Sequence, residues 1–147
     1  MAVKGDRSTS LDTDNQIARL GTKGALQTWV ERFTITANQA VDEVLSSPHY
    51  LTIPAGARLM DLAYTVQGTT GANLKVRRKG NTVSFATAGG AHVDHTFARN
   101  LNTANANNPF FEISDEDVEI ELVAVAAITA TSSSPYVIDV QMTLINM

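Results

Sequence analysis

The sequence predicts an all-β protein, an antiparallel β-sandwich of seven or eight strands with a jelly-roll-like arrangement and a polar N-terminal arm. Three observations predict this fold class. Apolar and polar residues alternate at period two in most segments after residue 25. Turn signals rich in Gly, Pro, Asn and Ser separate these segments. A chain of 147 residues, 44% of them apolar, can build one domain with a real core, which we assign to residues 25–147.

Residues 1–24 precede this domain and are predicted to form a separate arm. They are polar and of mixed charge. A helix from Asp14 to Leu20 would be too short to be stable alone in water. We therefore expect the arm to become ordered only on contact with a neighbouring molecule.

Two long strands and a short one are predicted in the first half of the domain. The first long strand begins at Thr28, the short strand Tyr50–Ile53 ends at Pro54, and the second long strand covers Leu59–Val66. The residues predicted to face the core on the two long strands are Trp29, Phe33, Ile35, Met60, Leu62, Tyr64 and Val66.

Residues 74–87 are predicted to form a β-hairpin whose turn is Lys79-Gly80-Asn81. Four of the 11 basic residues lie within five positions of its first half, and Lys75, Arg77 and Lys79 would share one face. Such a cluster is typical of a solvated hairpin whose charge protects an edge strand from mispairing. The alternative is an electrostatic contact with an acidic partner, such as residues 115–121 of an adjacent copy.

A polar loop is predicted over residues 100–109, which include five asparagines. We expect a structureless loop of this length to become ordered in an assembly. Phe110 and Phe111 follow it. Because adjacent residues of an extended chain point to opposite sides, one of the two must point away from the core. We interpret this pair as an interface anchor.

Two further strands are predicted near the C-terminus, one starting at Val118 and one over residues 136–144. On the outer face of the first, the side chains become apolar beyond Glu121. A strand that is apolar on both faces is expected to be covered by a further element or by a second subunit. The candidate contacts with a partner or a second subunit in this region are Asp115, Glu119, Glu121, Val123 and Val125.

Two clusters of polar residues are candidate metal sites. In an extended chain His92 and Asp94 would lie on one side and His95 on the other, so that an ion would need ligands from elsewhere, with His49 the one remaining histidine. The acidic run Asp115–Asp117 lacks the glycine turn of a calcium loop. We therefore expect no metal or other cofactor.

Composition and motifs exclude several function classes. The chain has no cysteine, no G-x-S-x-G nucleophile elbow and no glycine-rich phosphate loop, which argues against an enzyme. The net charge is −4, whereas nucleic-acid-binding proteins are usually basic. No run is long and apolar enough to cross a membrane, and no signal peptide opens the chain, so that we expect synthesis in the cytoplasm.

The charges are nevertheless distributed unevenly along the chain. All 11 basic residues lie in residues 1–99, whereas residues 100–147 hold seven acids and no base. Such asymmetry suits contact with a partner or with a neighbouring copy of the chain.

The polar arm, the turn in residues 50–57 (Tyr-Leu-Thr-Ile-Pro-Ala-Gly-Ala), the loops rich in Gly, Thr and Asn, the lack of cysteine and the strand close to the C-terminus together suggest a family. In these features the chain resembles small β-sandwich virion proteins of tailed bacteriophages, especially capsid decoration (cement) proteins. The resemblance covers most of the chain.

The resemblance implies a non-enzymatic protein of the phage head surface, made in the host cytoplasm. Such a protein would sit as a homotrimer on the major capsid protein and staple neighbouring capsid subunits. The arm would grip the capsid, and the loop 100–109 and the strand Val123–Ile128 would contact neighbouring copies. The arm contacts implied in this way are Lys4, Arg7, Arg19 and Leu20.

The runner-up hypothesis is a neck or tail accessory protein, or a carbohydrate-binding appendage, of the same kind of particle. A carbohydrate-binding module would expose a pair of aromatic side chains in a groove. The aromatic residues considered for that pair are Tyr50, Tyr64, Phe110, Phe111 and Tyr136.

Overall fold

A computed structural model of the chain describes residues 24–45, 51–99 and 108–147. Within these ranges no residue is helical, and nine strands form two antiparallel sheets, which confirms the predicted all-β, sandwich-like fold. The same residues accordingly include no helix that is long and apolar enough for a bilayer crossing. The strands are β1 (Leu26–Ile35), β2 (Leu51–Ile53), β3 (Ala57–Val66), β4 (Leu74–Arg78), β5 (Ser84–Thr87), β6 (Asp94–Thr96), β7 (Ala98–Arg99), β8 (Val118–Ala124) and β9 (Tyr136–Asn146).

The four-stranded sheet has the order β1-β9-β3-β6 and is built on three long strands. β1 pairs with β9 over its whole length, with Trp29 opposite Met142 and Arg32 opposite Asp139. The Arg32 guanidinium donates two hydrogen bonds to the Asp139 carboxylate, at 2.7 and 3.0 Å. These bonds hold the pKa of Asp139 below its ordinary value and support the register of the two strands.

β3 departs from the predicted alternation at one point. Its register with β9 shifts between Leu59 and Asp61. This bulge turns Leu59 completely into the core, while Met60 is only half-buried. The prediction that Met60 faces the core was therefore wrong, because it assumed an unbroken ladder. From Leu62 to Val66 the predicted core face is confirmed.

The five-stranded sheet has the order β2-β8-β4-β5-β7. β4 and β5 form the predicted hairpin. Gly80 has φ 81° in its turn, a left-handed conformation that favours glycine, and the Asn81 N–H donates to the Arg78 carbonyl at 3.0 Å. The short strands β6 and β7 have no alternating pattern, and for this reason the described residues form nine strands where seven or eight were predicted.

The core lies between the two sheets and receives large side chains from both. Each fully buried side chain of this kind contributes about 1.5–3 kcal/mol relative to exposure, so these positions dominate the stability of the fold. Trp29 and Tyr136 are partly buried and pack against its margin. The side chains with the least exposure include Leu59, Leu62, Tyr64, Leu74, Val76, Leu122, Ile138 and Leu144.

The sandwich has two ends, which we call the terminal end and the loop end. At the terminal end the Met147 N–H donates to the Gly56 carbonyl at 3.1 Å, and the Gly24 N–H bonds to the last residue of β9. At the loop end lie the loop 67–73 and the segment 125–135. β3 runs from one end to the other, and its ten residues span about 30 Å.

Candidate interaction surface

The basic face of the hairpin meets acidic residues of the same chain. Arg77 is the register partner of Glu121 on β8, and its Nε lies 2.9 Å from the Glu121 carboxylate. The next pair, Lys79 with Glu119, is 3.0 Å apart. The predicted complementarity between the basic cluster and residues 115–121 is therefore satisfied within one chain. The charges of these four residues therefore give no support to the alternative, an ion-pair contact with an adjacent copy.

The apolar outer face of β8 is also covered within the chain. Val123 is completely buried, although a second subunit was among the elements expected to cover it. Its neighbours in the sheet are Lys75 on β4 and Val44 on the other side, and Lys75 reaches across to the Asp42 carboxylate at 2.9 Å. The side chain of Val123 is thus not available as a subunit contact. Val125 is half-buried.

Phe110 and Phe111 point to opposite sides, which confirms that one of the two leaves the core. Phe110 is 1% exposed and packs edge-on against Phe85, with ring centroids 5.9 Å apart. The Arg99 guanidinium lies 4.6 Å from the centre of the Phe110 ring. The interpretation of Phe110 as a contact residue was wrong, whereas Phe111, 51% exposed, is open to a partner.

A turn holds Phe111 in its exposed position. The Asn108 side-chain oxygen accepts the Phe110 N–H at 3.0 Å, and the Asn108 carbonyl accepts the Phe111 N–H at 2.9 Å. The Arg58 Nε donates to the Phe110 carbonyl at 2.8 Å. Asn108 and Phe110 are both buried and anchor this turn, so the ring of Phe111 is held in a fixed position that faces solvent.

Four exposed apolar side chains lie at the terminal end, and we call them the terminal patch. They are between 47% and 63% exposed, and they make up four of the nine large apolar side chains that are exposed in the described part of the chain. Of these four, only Phe111 was predicted from the sequence. Ile113, two positions later, continues an apolar alternation that is a usable signal for the second. The members of the terminal patch are Leu26, Phe111, Ile113 and Met147.

Acidic residues border the terminal patch. Glu112, Asp115, Glu116 and Asp117 are exposed, and none of them forms an ion pair with a cation of the described residues. Asp117 accepts the N–H of Ala55 at 2.9 Å, which ties this segment to the turn before β3. The acidic run is therefore an ordered turn, and its Asp115 and Glu116 carboxylates are exposed without an ion pair to a cation of the described residues.

The histidine segment does not have the predicted geometry. The chain bends at Val93, and this bend brings His92 and His95 to the same side, with parallel rings whose centroids are 3.9 Å apart. The lone pair of an imidazole lies in the plane of its ring, so two parallel rings cannot converge on one ion. No group of three or more metal-ligating side chains occurs in residues 24–45, 51–99 and 108–147, and His49 lies outside them.

The aromatic residues do not form an exposed pair in the part of the chain that the structure describes. Tyr64 is buried, and burial raises its pKa to about 12. Tyr136 is half-buried and donates its hydroxyl to the Thr70 carbonyl at 2.8 Å. Phe111 lies at the other end of the sandwich, and Tyr50 lies outside the described residues.

The predicted arm contacts also lie outside the described residues, as does most of the loop 100–109. The arm joins the described part of the chain at Gly24, which lies at the terminal end. The arm therefore leaves the sandwich at the end that carries the terminal patch. The residues concerned are Lys4, Arg7, Arg19 and Leu20.

The chain matches no protein-family model and no curated protein sequence. Its fold is similar to that of solved phage chains. One comes from the capsid asymmetric unit of cyanophage Pam1, with a TM-score of 0.54 and 12% sequence identity over 92% of this chain and 99% of that chain. Another comes from the capsid of Ralstonia phage GP4, with a TM-score of 0.52 and 13% identity over 88% of this chain and 91% of that chain.

Proposed function

We propose that this chain is a non-enzymatic structural protein of a phage virion, which binds the surface of the head and stabilises the capsid as a homo-oligomer, with a trimer favoured. One observation carries the proposal: the fold is similar, over almost the full length of both chains, to chains from the capsids of two phages. The features of the sequence that resemble decoration proteins support the same role. The protein would be made in the host cytoplasm and would have the major capsid protein as its partner.

The terminal end is the part of the molecule that best fits the capsid contact. Phe111 and Ile113 offer exposed apolar area there, and the neighbouring Glu112 and Asp115 offer carboxylates to basic groups of a partner. The arm leaves from the same end at Gly24, so that arm and patch can contact one surface together. The retained candidate contacts are therefore Phe111 and Asp115, with Val125 at the loop end.

The charged residues of the hairpin have a different role in this proposal. Lys75, Arg77 and Lys79 hold β4 to its neighbours through ion pairs with Asp42, Glu121 and Glu119. They stabilise the five-stranded sheet in each subunit, and contacts between subunits are left to the arm and the terminal patch.

Co-sedimentation with capsids tests the proposal. Capsids from a phage in which the gene for this chain is deleted would be mixed with purified protein and pelleted. We expect saturable binding of the wild-type chain, and a loss of at least tenfold in affinity for the double variant Phe111→Ser, Ile113→Ser or on deletion of residues 1–23. The matched control is Val41→Ser, which changes an exposed valine 56% open to solvent at the loop end.

The outcomes separate the parts of the proposal. A wild-type chain that stays in the supernatant would contradict the capsid role as a whole. Binding that survives both the patch variant and the arm deletion would place the contact elsewhere on the molecule. Equal losses for the patch variant and Val41→Ser would show a general loss of folding, which circular dichroism of the variants would detect.

A further inference from the structure

A groove of about 560 Å³ opens at the loop end, between the loop 67–73 and the segments 126–129 and 134–136. Its volume lies in the range of small-molecule binding sites. The groove is separated from the terminal patch by the length of β3, about 30 Å. It therefore lies at the opposite end of the sandwich from the terminal patch.

The side chains around the groove are uncharged. No Asp, Glu, Lys, Arg or His is among its lining residues. Its apolar lining residues larger than alanine, apart from Tyr136, are Pro135 and Ile128, and Ile128 is 5% exposed and belongs to the core. The site consequently offers neither a counter-charge for an ionic ligand nor an apolar pocket for a large aliphatic side chain. Hydroxyl and amide groups are supplied by Gln67, Thr69, Thr70, Asn73, Thr129 and Ser134.

Backbone donors add to these groups. In the described part of the chain, the N–H groups of residues 68–71 donate no backbone hydrogen bond. Gly68 has φ 113°, a backbone conformation that residues other than glycine rarely adopt. A Cβ on Gly71 would lie 2.7 Å from the backbone of His92, so the loop packs tightly against that residue. The backbone of the loop is therefore constrained at Gly68 and Gly71, and the N–H groups of residues 68–71 are not used in backbone pairing.

Two tyrosine hydroxyls hold the same loop through hydrogen bonds to its carbonyl groups. Tyr136 donates its hydroxyl to the Thr70 carbonyl at 2.8 Å, and Tyr64 donates its hydroxyl to the Ala72 carbonyl at 2.6 Å. Tyr136 itself lines the groove and is half-buried. The groove thus has one rigid aromatic wall beside a preorganised row of polar groups, which lowers the entropic cost of binding.

We propose that this groove binds a neutral saccharide, one or two uncharged sugar units of a glycan. A sugar carries hydroxyls that need both donors and acceptors, and a C–H face that can lie against an aromatic ring. The groove supplies each of these and lacks the charges that an acidic or basic ligand requires. An uncharged peptide is the less suitable ligand, because the groove has no pocket for large apolar side chains. The binding itself does not depend on attachment to a capsid.

A glycan array followed by titration calorimetry tests the proposal on the full chain in the absence of capsids. The array would contain neutral oligosaccharides beside sialylated and sulfated ones, and uncharged peptides would be printed on the same slide. We expect neutral oligosaccharides to bind. The variant Ala127→Trp places a large ring in the groove at an exposed position and should weaken this binding at least tenfold. The matched control, Ala37→Trp, changes an exposed alanine outside the groove and should leave it unchanged.

Three results would overturn the proposal. These are an array on which no neutral glycan binds, binding restricted to charged glycans or to peptides, and neutral-glycan binding that Ala127→Trp leaves intact. None of them depends on capsid co-sedimentation, so this proposal can fail while the proposed function stands, and the reverse also holds.

Discussion

At the scale of single residues, Phe110 and Phe111 show how neighbours in sequence can have different roles. The turn at Asn108 directs Phe110 into the core beside Phe85 and leaves Phe111 half exposed at the terminal end. Extended-chain geometry predicts that one of the two points outward, but it cannot say which. That choice depends on the position of the turn and on the space beside Phe85, neither of which a local pattern contains.

The two phenylalanines should therefore differ in their effect on stability. Phe110→Ala removes a buried ring and leaves a cavity, so we expect a loss of about 3–5 kcal/mol in the free energy of unfolding. Phe111→Ala removes an exposed ring and, at a protein concentration at which the subunits are dissociated, should cost less than about 0.5 kcal/mol. Urea denaturation of the purified variants measures both. Similar losses for the two variants would contradict the orientation described above.

Tyr64 predicts how stability depends on alkaline pH. Burial raises its pKa to about 12, while an unfolded tyrosine ionises near about 10. Between these values the folded chain keeps a proton that the unfolded chain has lost, so stability should be complete below about pH 10 and should fall as the pH rises toward 12. Urea denaturation at several pH values from 8 to 11.5 follows this decline.

The variant Tyr64→Phe provides the comparison for this measurement. It cannot ionise at position 64, so its stability should decline less steeply with pH, although it loses the hydrogen bond to the Ala72 carbonyl and starts lower. Burial also raises the pKa of Tyr136, and Tyr136→Phe should reduce the slope by a smaller amount. A wild-type slope no steeper than that of Tyr64→Phe would refute the prediction.

At the scale of strands, alternation predicts the long elements well and the short ones poorly. β1, β3, β8 and β9 bury one face over many residues, so a period of two is visible in their sequences. β6 and β7 are too short to show a period. The segment 39–45 is joined by isolated bridges, from Val44 to Val123 of β8 and from Gln39 to Ile128 beyond the end of β8. The bulge at Leu59 and the bend at Val93 reverse the local alternation, which explains the wrong predictions for Met60 and for the histidine pair.

The pairing of β4 with β8 predicts an energetic coupling within one chain. The Arg77 and Glu121 side chains are mostly buried, at 22% and 18% exposure, and should couple by about 1 kcal/mol in a double-mutant cycle with Arg77→Ala and Glu121→Ala. The more exposed pair Lys79–Glu119, at 50% and 40%, is the control and should couple by less than about 0.5 kcal/mol. The free energies come from urea denaturation at two protein concentrations. A coupling that grows with concentration would place the Arg77–Glu121 contact between subunits instead.

At the scale of the whole molecule, the sheets have an order that local patterns do not reveal. With the two-residue β7 set aside, the orders are β1-β9-β3-β6 and β2-β8-β4-β5, so that strands from the end of the chain lie between strands from its beginning. This interleaving supports the predicted jelly-roll connectivity, which stays a prediction.

Of the candidate interaction surface, the sequence allowed us to predict Phe111 and the acidic run. It did not reveal that Leu26 and Met147 are exposed at the same end of the sandwich, because residues so far apart in the chain come together only through the pairing of β1, β3 and β9.

The oligomeric state follows from the proposed function and is the prediction for the whole molecule. The opposite charges of the hairpin and β8 are already paired within each chain, so self-association should depend on the arm and on the apolar terminal patch. Light scattering after size exclusion should give three times the 15.8 kDa of one chain. Deletion of residues 1–23, or the double variant Phe111→Ser, Ile113→Ser, should lower the number of chains in the particle. Val41→Ser at the loop end should leave this number unchanged. A mass of six chains would favour a ring of the neck or tail. A wild-type monomer at high concentration would contradict a trimer that forms before the capsid is met.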